Sequence, residues 1–256
     1  MARIKILITG GNGYIAQSLY KSFKNKFDIT LQTYKDFNLL NSQACKTWFL
    51  DKKFDVLIHT AIKGGNRLKL ENRDVLDQNL TMYYNLLANR EKYNRLISFG
   101  SGAEIYTQHT PYGLSKHVIA ESIKEKDNFF NIRLFGLFDI NENERRFIKS
   151  NIVRYKNKQD LVIHENKKMD FFFMEDFISV VQYYIENNEP PKVFDCTYEQ
   201  SYFLTEIAEL INNLNTYKVN IRVESKNKAQ DYTGLFTPLI QLEGLEAGIK
   251  KTYINL

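Results

Sequence analysis

Short apolar runs alternate along the chain with longer segments whose apolar residues recur every three to four positions. Ile4 to Ile8 is a β-branched run that ends in a glycine cluster, which is typical of a buried parallel strand. The next segment, Tyr14 to Phe23, places Ile15, Leu19 and Phe23 on one face of a helix. The alternation predicts strands at 4–8, 29–33, 54–59, 95–99 and 130–135, and helices at 14–23, 41–50, 74–89 and 112–126.

Strands that alternate with helices predict right-handed crossovers and an α/β fold, in which helices cover both faces of a doubly wound parallel sheet. The alternation loosens after about residue 140. We therefore expect one domain over residues 1–140 and a smaller region over residues 141–256, some of whose elements return to the first domain.

Composition and charge narrow the classes of protein. The 256 residues carry a net charge of +5 that is spread along the chain without a basic block, so we expect an anionic small-molecule substrate and no nucleic acid. A run of about 18 apolar residues is absent, which predicts no membrane span. The first apolar run is too short for the core of a signal peptide, and Cys45 and Cys196 lie far apart, which favours the reducing cytoplasm. The four histidines show no metal-ligand spacing, so we expect no metal.

A glycine-rich segment, TGGNGYIA at positions 9–16, joins the first strand to the first helix. A tight turn at a strand end needs glycine dihedral angles, and a dinucleotide pyrophosphate needs a close approach of the backbone. The N-terminus of the helix then offers free N–H groups and a favourable dipole to the phosphates. The alternative is a glycine turn without a ligand. The predicted dinucleotide contacts are Gly10, Asn12, Gly13, Tyr14 and Ile15.

The same segment resembles the TGxxGxxG/A loop of the extended short-chain dehydrogenases, the NAD(P)-dependent epimerases, dehydratases and reductases of nucleotide sugars. His59-Thr60-Ala61 resembles the HxAA element of that family, and Asp77 to Leu80 resembles its middle-helix segment around an asparagine. Residues 31–65 most resemble the GDP-fucose synthase branch and, less closely, the dTDP-rhamnose reductases. Gly244 to Tyr253 resembles the closing helix of the family.

This resemblance implies an NAD(P)-binding Rossmann domain over residues 1–140 and a substrate-binding region over residues 141–256. It also implies that His59, Ala61 and Asn79 contact the cofactor. Relatives often pair through two long helices, so the resemblance implies a homodimer, although burial within one chain explains the same apolar faces.

A tyrosine and a lysine four residues apart, Tyr112 and Lys116, lie on one face of a predicted helix. A tyrosine hydroxyl has an ordinary pKa of about 10, and a nearby ammonium stabilises its phenolate, which makes the hydroxyl a better proton donor. Tyr20 and Lys24 have the same spacing, but they lie in the first helix, where we expect no catalysis. The resemblance places the catalytic pair in the helix after the fourth strand, and it implies that Lys116 also bonds to the nicotinamide ribose.

The third catalytic member implied by the resemblance is a hydroxyl at the end of the fourth strand. Ser101 is the candidate, and its Oγ would polarise a substrate carbonyl. Many relatives place this hydroxyl one residue later, where this chain has Gly102. The alternative role for Ser101 is to cap the turn.

The end of the second strand bears on the choice of cofactor. Sites that prefer NAD place an acid there to accept from the ribose 2′-hydroxyl, and this chain has none at the predicted strand end. Lys35 would meet a 2′-phosphate, with hydrogen bonds from Gln32 and Tyr34, which favours NADP(H). NAD(H) remains the alternative if Asp36 serves as the acid. Asn38 is expected to contact the adenine.

Two motifs of the second region depart from the family. Residues 131–139 resemble the RxxNxxG strand and loop, but Gly136 replaces the asparagine. Residues 169–177 resemble RDFIYVDDL, but Met169 replaces the arginine that contacts the nucleotide phosphate in relatives. Other cations of this region are candidates for that charge, namely Arg145, Arg146, Lys167 and Lys168. The aromatic run 171–173 is expected to lie in the core.

Three functions fit these observations. The first is an oxidoreductase that reduces a 4-keto nucleotide-diphosphate sugar with NADPH and uses Tyr112 as the proton donor. The second is a 4-epimerase with bound NAD; a dehydratase fits less well, because relatives have an acid pair after the fourth strand and here only Glu104 is near. The third is a dinucleotide-binding regulatory subunit without catalysis.

Overall fold

The computed structural model describes residues 3–65, 71–225, 227 and 229–256, and the chain forms two compact units. The first unit comprises Met1–Arg133 and Gln182–Phe194, and the second comprises Leu134–Val181 and Asp195–Leu256. The chain leaves the first unit before the boundary at 140 that the sequence predicts, because the fifth strand ends at Leu134.

Ten strands, nine α-helices and one short 3-10 helix (Arg90–Lys92) are found among the described residues. The strands are β1 (Lys5–Thr9), β2 (Asp28–Leu31), β3 (Phe54–His59), β4 (Tyr93–Ser101), β5 (Phe129–Leu134), β6 (Leu137–Phe138), β7 (Leu161–Glu165), β8 (Phe172–Phe173), β9 (Val193–Cys196) and β10 (Ile221–Ser225). The helices are α1 (Tyr14–Phe23), α2 (Ser42–Phe49), α3 (Asp74–Leu87), α4 (Ala103–Tyr106), α5 (Pro111–Lys124), α6 (Phe147–Lys156), α7 (Met174–Glu186), α8 (Leu204–Asn212) and α9 (Leu245–Asn255).

A six-stranded sheet in the order β2-β1-β3-β4-β5-β9 is the framework of the first unit. β1 pairs in parallel with β2 and β3, and β3 pairs in parallel with β4. The predicted parallel α/β fold is therefore confirmed, and the bounds of α1 and β3 are those that the sequence predicts. β2 ends two residues earlier than predicted, because Gln32 turns inward and its side-chain amide donates to the carbonyls of Thr33 and Phe37.

Local sequence explains where the helices of the first unit begin. The Asn41 side chain accepts from the N–H of Ala44 at 2.9 Å and caps α2. α5 begins at Pro111, and the Thr110 hydroxyl accepts from the N–H of Gly113 at 3.0 Å. These caps satisfy backbone donors that have no partner inside the helix.

Each unit has its own apolar core. In the first unit, residues of β1, β3 and β4 pack with residues of α2, α3 and α5, and the central members are Leu7, Phe49, Leu57, Tyr83, Leu86, Leu96 and Ile123. In the second unit, α6, α8 and α9 surround the core residues Phe138, Ile148, Ile152, Tyr155, Leu161, Ile207, Ile211 and Ile249. Phe171, Phe172 and Phe173 are all buried, which confirms that the aromatic run belongs to a core.

No helix among the described residues is long and apolar enough to cross a membrane.

A close contact between α4 and α5 generates a prediction. A Cβ atom at Gly113 would lie 2.0 Å from the carbonyl oxygen of Thr107, so any side chain there forces the two helices apart. We expect Gly113→Ala to lower the free energy of unfolding by about 3 kcal/mol, measured by urea unfolding. Lys124→Ala, in the last turn of the same helix with a side chain that is 52% exposed, is the control and should cost less than about 1 kcal/mol. Equal losses in the two variants would refute the steric explanation.

Candidate active site

The strand order locates a crevice at one edge of the sheet. The chain passes from β1 to β2 on one side and then to β3 on the other side of β1. In open α/β sheets, ligands bind outside the carboxyl ends of the strands at such a reversal. The glycine-rich turn follows β1 and the loop 60–65 follows β3, so both segments belong to this edge.

Gly10 cannot be replaced without strain, for two independent reasons. Its φ angle is +67°, a left-handed conformation that favours glycine. A Cβ atom there would also lie 2.8 Å from both the backbone nitrogen and the Cα of Ala61. The turn and the loop after β3 thus approach each other as closely as backbones can, which leaves the space above them to a ligand.

The glycine turn leads directly into the N-terminus of α1. Gly13 is the N-cap residue, and among the described residues no side chain caps this helix. Asn12 is exposed, and Tyr14 and Ile15 form the first turn of the helix. The positive end of the helix dipole and its N-terminal amides suit a pyrophosphate, and the close backbone approach at Gly10 suits it as well.

His59 lies at the end of β3 and is buried. Its Nδ1 is 2.8 Å from the hydroxyl of Thr9, and the hydroxyl of Thr60 donates to the carbonyl of Thr9 at 2.6 Å. Burial, helped by the positive charge of Lys116, lowers the pKa of His59 to about 3. His59 is therefore neutral at physiological pH and joins the ends of β1 and β3 without acting as an acid or base.

Asn79 is buried on α3 and is fully engaged with its neighbours. Its Oδ1 accepts from the N–H of Lys63 at 2.8 Å, and its Nδ2 donates to the carbonyl of Lys63 and to the hydroxyl of Ser115, each at 3.0 Å. Both of its donor hydrogens are used. Asn79 thereby fixes the loop after β3, and its contact with the cofactor stays a prediction.

The structure brings Tyr112 and Lys116 together on α5. The Lys116 ammonium lies 5.7 Å from the centroid of the Tyr112 ring and donates to the carbonyl of Phe99. Burial lowers the pKa of Lys116 to about 8, and the negative charge of Glu104 opposes this effect. An ammonium at this place can stabilise a phenolate at Tyr112 and remains mostly charged at neutral pH.

A glycine turn lies flat against the Tyr112 ring. Gly65 has a φ of +77°, and a Cβ atom there would lie 3.0 Å from Cζ and 3.3 Å from the hydroxyl oxygen of Tyr112. The carboxylate of Glu71 accepts from the N–H of Gly65 at 2.5 Å and from the N–H of Tyr112 at 3.2 Å. Glu71 thus ties the turn to the start of α5 and fixes the tyrosine.

Ser101 is the last residue of β4, and Phe99, which binds Lys116, is two residues earlier on the same strand. The Ser101 hydroxyl accepts from the N–H of Ala103 at 3.2 Å. Gly102, at the position where many relatives carry the hydroxyl, is buried and is the N-cap residue of α4.

The turn after β2 differs in part from the sequence analysis. Gln32 is buried, and its amide donors are spent on the carbonyls of Thr33 and Phe37, so it is not the expected hydrogen-bond donor to a cofactor. Asp36 accepts from both the N–H and the hydroxyl of Thr33, and these bonds lower the pKa of its carboxyl group. Asp36 therefore closes the turn instead of presenting an acid at the strand end.

Three other side chains of this turn are available at the surface. Lys35 is exposed and Tyr34 is 76% exposed. Asn38 is half-buried, and its Oδ1 accepts from the N–H of Leu40 at 3.0 Å, which leaves the amide nitrogen for a different partner.

Glu104 is a functional candidate that the sequence alone does not single out. Its side chain is buried. Among the described residues, Glu104 is the carboxylate whose negative charge opposes the lowering of the pKa of Lys116. Burial raises the pKa of Glu104 to about 7, and Arg133 most strongly opposes that rise. A lone acid among small residues directly after a strand end was the available signal.

The second unit explains both departures from the family motifs. A Cβ atom at Gly136 would lie 2.8 Å from the ring of Phe171 and 3.0 Å from the carbonyl of Asp170, so the asparagine of relatives has no room here. Met169 is buried in the core of this unit and supplies no charge. Of the alternative cations, Arg146 pairs with Glu142 at 3.2 Å and Lys168 lies over the ring of Phe203.

No group of three or more metal-binding side chains occurs among the residues that the structure describes.

Several known proteins are similar to this chain in sequence or in fold. The curated CDP-abequose synthase of Yersinia pseudotuberculosis is 21% identical over 210 residues, which are 72% of this chain and 74% of that protein. Among solved structures, a GDP-mannoheptose C4 reductase from Campylobacter jejuni with NADP bound is similar, with a TM-score of 0.76 and 18% identity over 99% of this chain and 98% of that chain. The Bordetella bronchiseptica enzyme WbmG in complex with NAD has a TM-score of 0.81 and 14% identity over 99% and 94% of the two chains.

The sequence profile described as "NAD dependent epimerase/dehydratase family" matches residues 6–196, which include the glycine turn, Ser101, Tyr112 and Lys116. This match covers well over half of the chain and confirms the predicted resemblance, fold class and enzyme class. The chain belongs to the NAD dependent epimerase/dehydratase family.

Proposed function

We propose that this enzyme reduces the keto group of a 4-keto nucleotide-diphosphate sugar with NADPH. The observation that carries the proposal is that Lys116 lies over the Tyr112 ring and bonds to Phe99 in β4, the strand that ends at Ser101. The relatives support the substrate class, since they include a CDP-abequose synthase and a GDP-mannoheptose C4 reductase.

A nicotinamide dinucleotide fits the residues at the carboxyl edge of the sheet. Gly10 lets the glycine turn pack against the backbone of Ala61, where a Cβ atom would collide, and the N-terminal amides of α1 follow this turn. Gly10, Asn12, Gly13, Tyr14 and Ile15 would hold the pyrophosphate. The adenosine end would meet Lys35 and Asn38, and the loop with His59 and Ala61 would line the nicotinamide half.

The proposed reaction requires one hydride and one proton. When bound, the cofactor supplies the hydride to the carbonyl carbon. The Tyr112 hydroxyl donates its proton to the carbonyl oxygen, while the Ser101 hydroxyl donates a hydrogen bond to the same oxygen. Lys116 stabilises the phenolate that remains and bonds to the nicotinamide ribose. The products are a nucleotide-diphosphate sugar with a hydroxyl group at C4 and the oxidised dinucleotide.

A second candidate is a 4-epimerase that keeps NAD bound through both half-reactions. The specific observation in its favour is the similarity of fold to an enzyme in complex with NAD. The turn after β2 favours the reductase, because Asp36 is committed to Thr33 and exposed Lys35 suits a 2′-phosphate.

The cofactor preference is tested by fluorescence titration of cofactor-stripped protein with NADPH and NADH. We expect tighter binding of NADPH, and we expect Lys35→Ala to weaken NADPH binding about tenfold with little change for NADH, because one ion pair to the 2′-phosphate is lost. Lys46→Ala, at another exposed lysine, is the control and should leave the binding of both NADPH and NADH unchanged. A wild-type preference for NADH, or tightly co-purified NAD, would favour the epimerase instead.

The role of Tyr112 is tested with Tyr112→Phe in an assay of NADPH oxidation against 4-keto nucleotide sugars with different bases. We expect kcat to fall about 1,000-fold while NADPH still binds, because only the proton donor is removed. The chain offers a matched control in Tyr20→Phe, since Tyr20 and Lys24 have the same spacing on α1. Full activity of Tyr112→Phe would disprove the assigned role, whereas a wild-type protein that binds NADPH without reducing any of these sugars would fit a regulatory protein.

We also propose that the enzyme is a homodimer that pairs through α3 and α5. Tyr84 on α3 and Leu114 on α5 are 44% and 37% exposed, respectively. Light scattering should give about twice the 30.1 kDa of one chain, and Tyr84→Arg with Leu114→Arg should give the mass of one chain, because charges do not pack in an apolar interface. A monomeric wild-type protein would exclude this assembly.

A further inference from the structure

A buried carboxylate lies directly behind the candidate catalytic strand end. Glu104 belongs to the short helix α4, which follows β4, and it is 4% exposed. Its Oε2 accepts from the N–H of Ser101 at 3.3 Å, and its Oε1 accepts from Nδ2 of Asn131 at 3.0 Å. The Nε of Arg133 lies 3.6 Å from the same Oε1. All three neighbours are donors, so this environment suits an ionised carboxylate and provides no acceptor for a protonated one.

The same stretch of β4 also holds the Lys116 ammonium. Lys116 donates to the carbonyl of Phe99, and Glu104 accepts from the N–H of Ser101. In an extended strand, the C=O of one residue and the N–H of the residue two positions later point to the same side. Between them, a Cβ atom at Gly100 would lie 2.5 Å from Oε2 of Glu104. The strand end thus binds an acid from α4 and a base from α5, and the charges of these two groups act on each other.

Charged or polar groups from several elements face Glu104 and Lys116. Glu104 meets Arg133 and Asn131 from β5, Lys116 from α5 and the Ser101 N–H from β4. Burial raises the pKa of its carboxyl group, and Arg133 is the strongest of the groups that lower it. Lys116 meets Glu104 from α4, neutral His59 from β3 and the Tyr112 ring on its own helix.

We propose that Glu104 is a positioning residue whose buried carboxylate fixes the strand end that carries Ser101 and holds Lys116 in its ammonium form. Glu104 acts through Ser101 and Lys116, and it does not itself touch the substrate. Its effect on catalysis rests on the function proposed above. Its effect on Lys116 does not, because that effect exists in the free protein.

The primary experiment measures the pKa of Lys116 directly. Full-length protein with 13Cε-labelled lysine is titrated by NMR, and the Lys116 signal is identified by its loss in Lys116→Arg. We expect Glu104→Gln to lower the pKa of Lys116 by about one unit, because the opposing negative charge is removed while burial remains. Glu142→Gln is the matched control: Glu142 is another buried glutamate with an arginine partner, and it is not among the charges that act on Lys116.

A charge-relocation variant separates the electrostatic effect from a loss of structure. In Glu104→Gln combined with Asn131→Asp, the carboxylate moves across an existing hydrogen bond and the new amide at 104 can donate to it. We expect at least half of the shift in the pKa of Lys116 to be reversed. This double variant also gives the answer if Glu104→Gln alone does not fold: a pKa of Lys116 well below the wild-type value would then overturn the proposal.

The activity measurement is a pH–rate profile with a 4-keto nucleotide sugar. Lys116 must carry its proton, so the rate falls as the pH rises through the pKa of Lys116. This alkaline limb should move to lower pH in Glu104→Gln by the amount that NMR measures. An unchanged pKa of Lys116 in folded Glu104→Gln would overturn the proposal. A wild-type enzyme that binds NADPH but reduces no 4-keto sugar would overturn the proposed function alone, because the NMR result still decides the role of Glu104.

Discussion

The bond from the Lys116 ammonium to the carbonyl of Phe99 is the interaction on which the candidate site depends. It joins α5 to the end of β4, and therefore joins the tyrosine one turn earlier on the helix to the serine two residues later on the strand. A lysine is strongly hydrated in water, so burying it requires a fixed acceptor and a nearby negative charge. The Phe99 carbonyl and Glu104 meet these two requirements.

Three polar residues around this bond, His59, Asn79 and Glu71, are neutral or hydrogen-bonded to their neighbours. His59 cannot take a proton at physiological pH, because burial beside a cation disfavours its charged form. Asn79 uses both of its donor hydrogens on its neighbours, and Glu71 binds two backbone N–H groups. A side chain at Gly10 would collide with the backbone of Ala61, and one at Gly65 would collide with the Tyr112 ring. These close contacts fix the surroundings of Tyr112, which we propose as the proton donor.

The sequence predicts the fold and the main members of the site because both depend on local patterns. The alternation of strands and helices, the glycine turn after β1 and the Tyr112–Lys116 spacing are all contained in short segments. The roles of Glu104, Gln32 and Asn79 are not, because their partners come from other segments. Glu104 meets Asn131 and Arg133 on the neighbouring strand, about thirty residues later in the chain. The loss of the asparagine at Gly136 likewise becomes intelligible only when Phe171 is seen to fill the space.

The burial of Lys116 also sets stability against activity. Its pKa falls from 10.5 to about 8 on folding, so the folded state binds this proton less tightly than the unfolded chain. The resulting penalty grows as the pH drops from 10.5 towards 8 and is fully present below that, at about 3 kcal/mol. An apolar side chain of similar length would remove the penalty, so selection for stability alone would favour the loss of the cation that we propose to act in catalysis. Selection for a more heat-resistant chain alone would therefore lead away from a working enzyme.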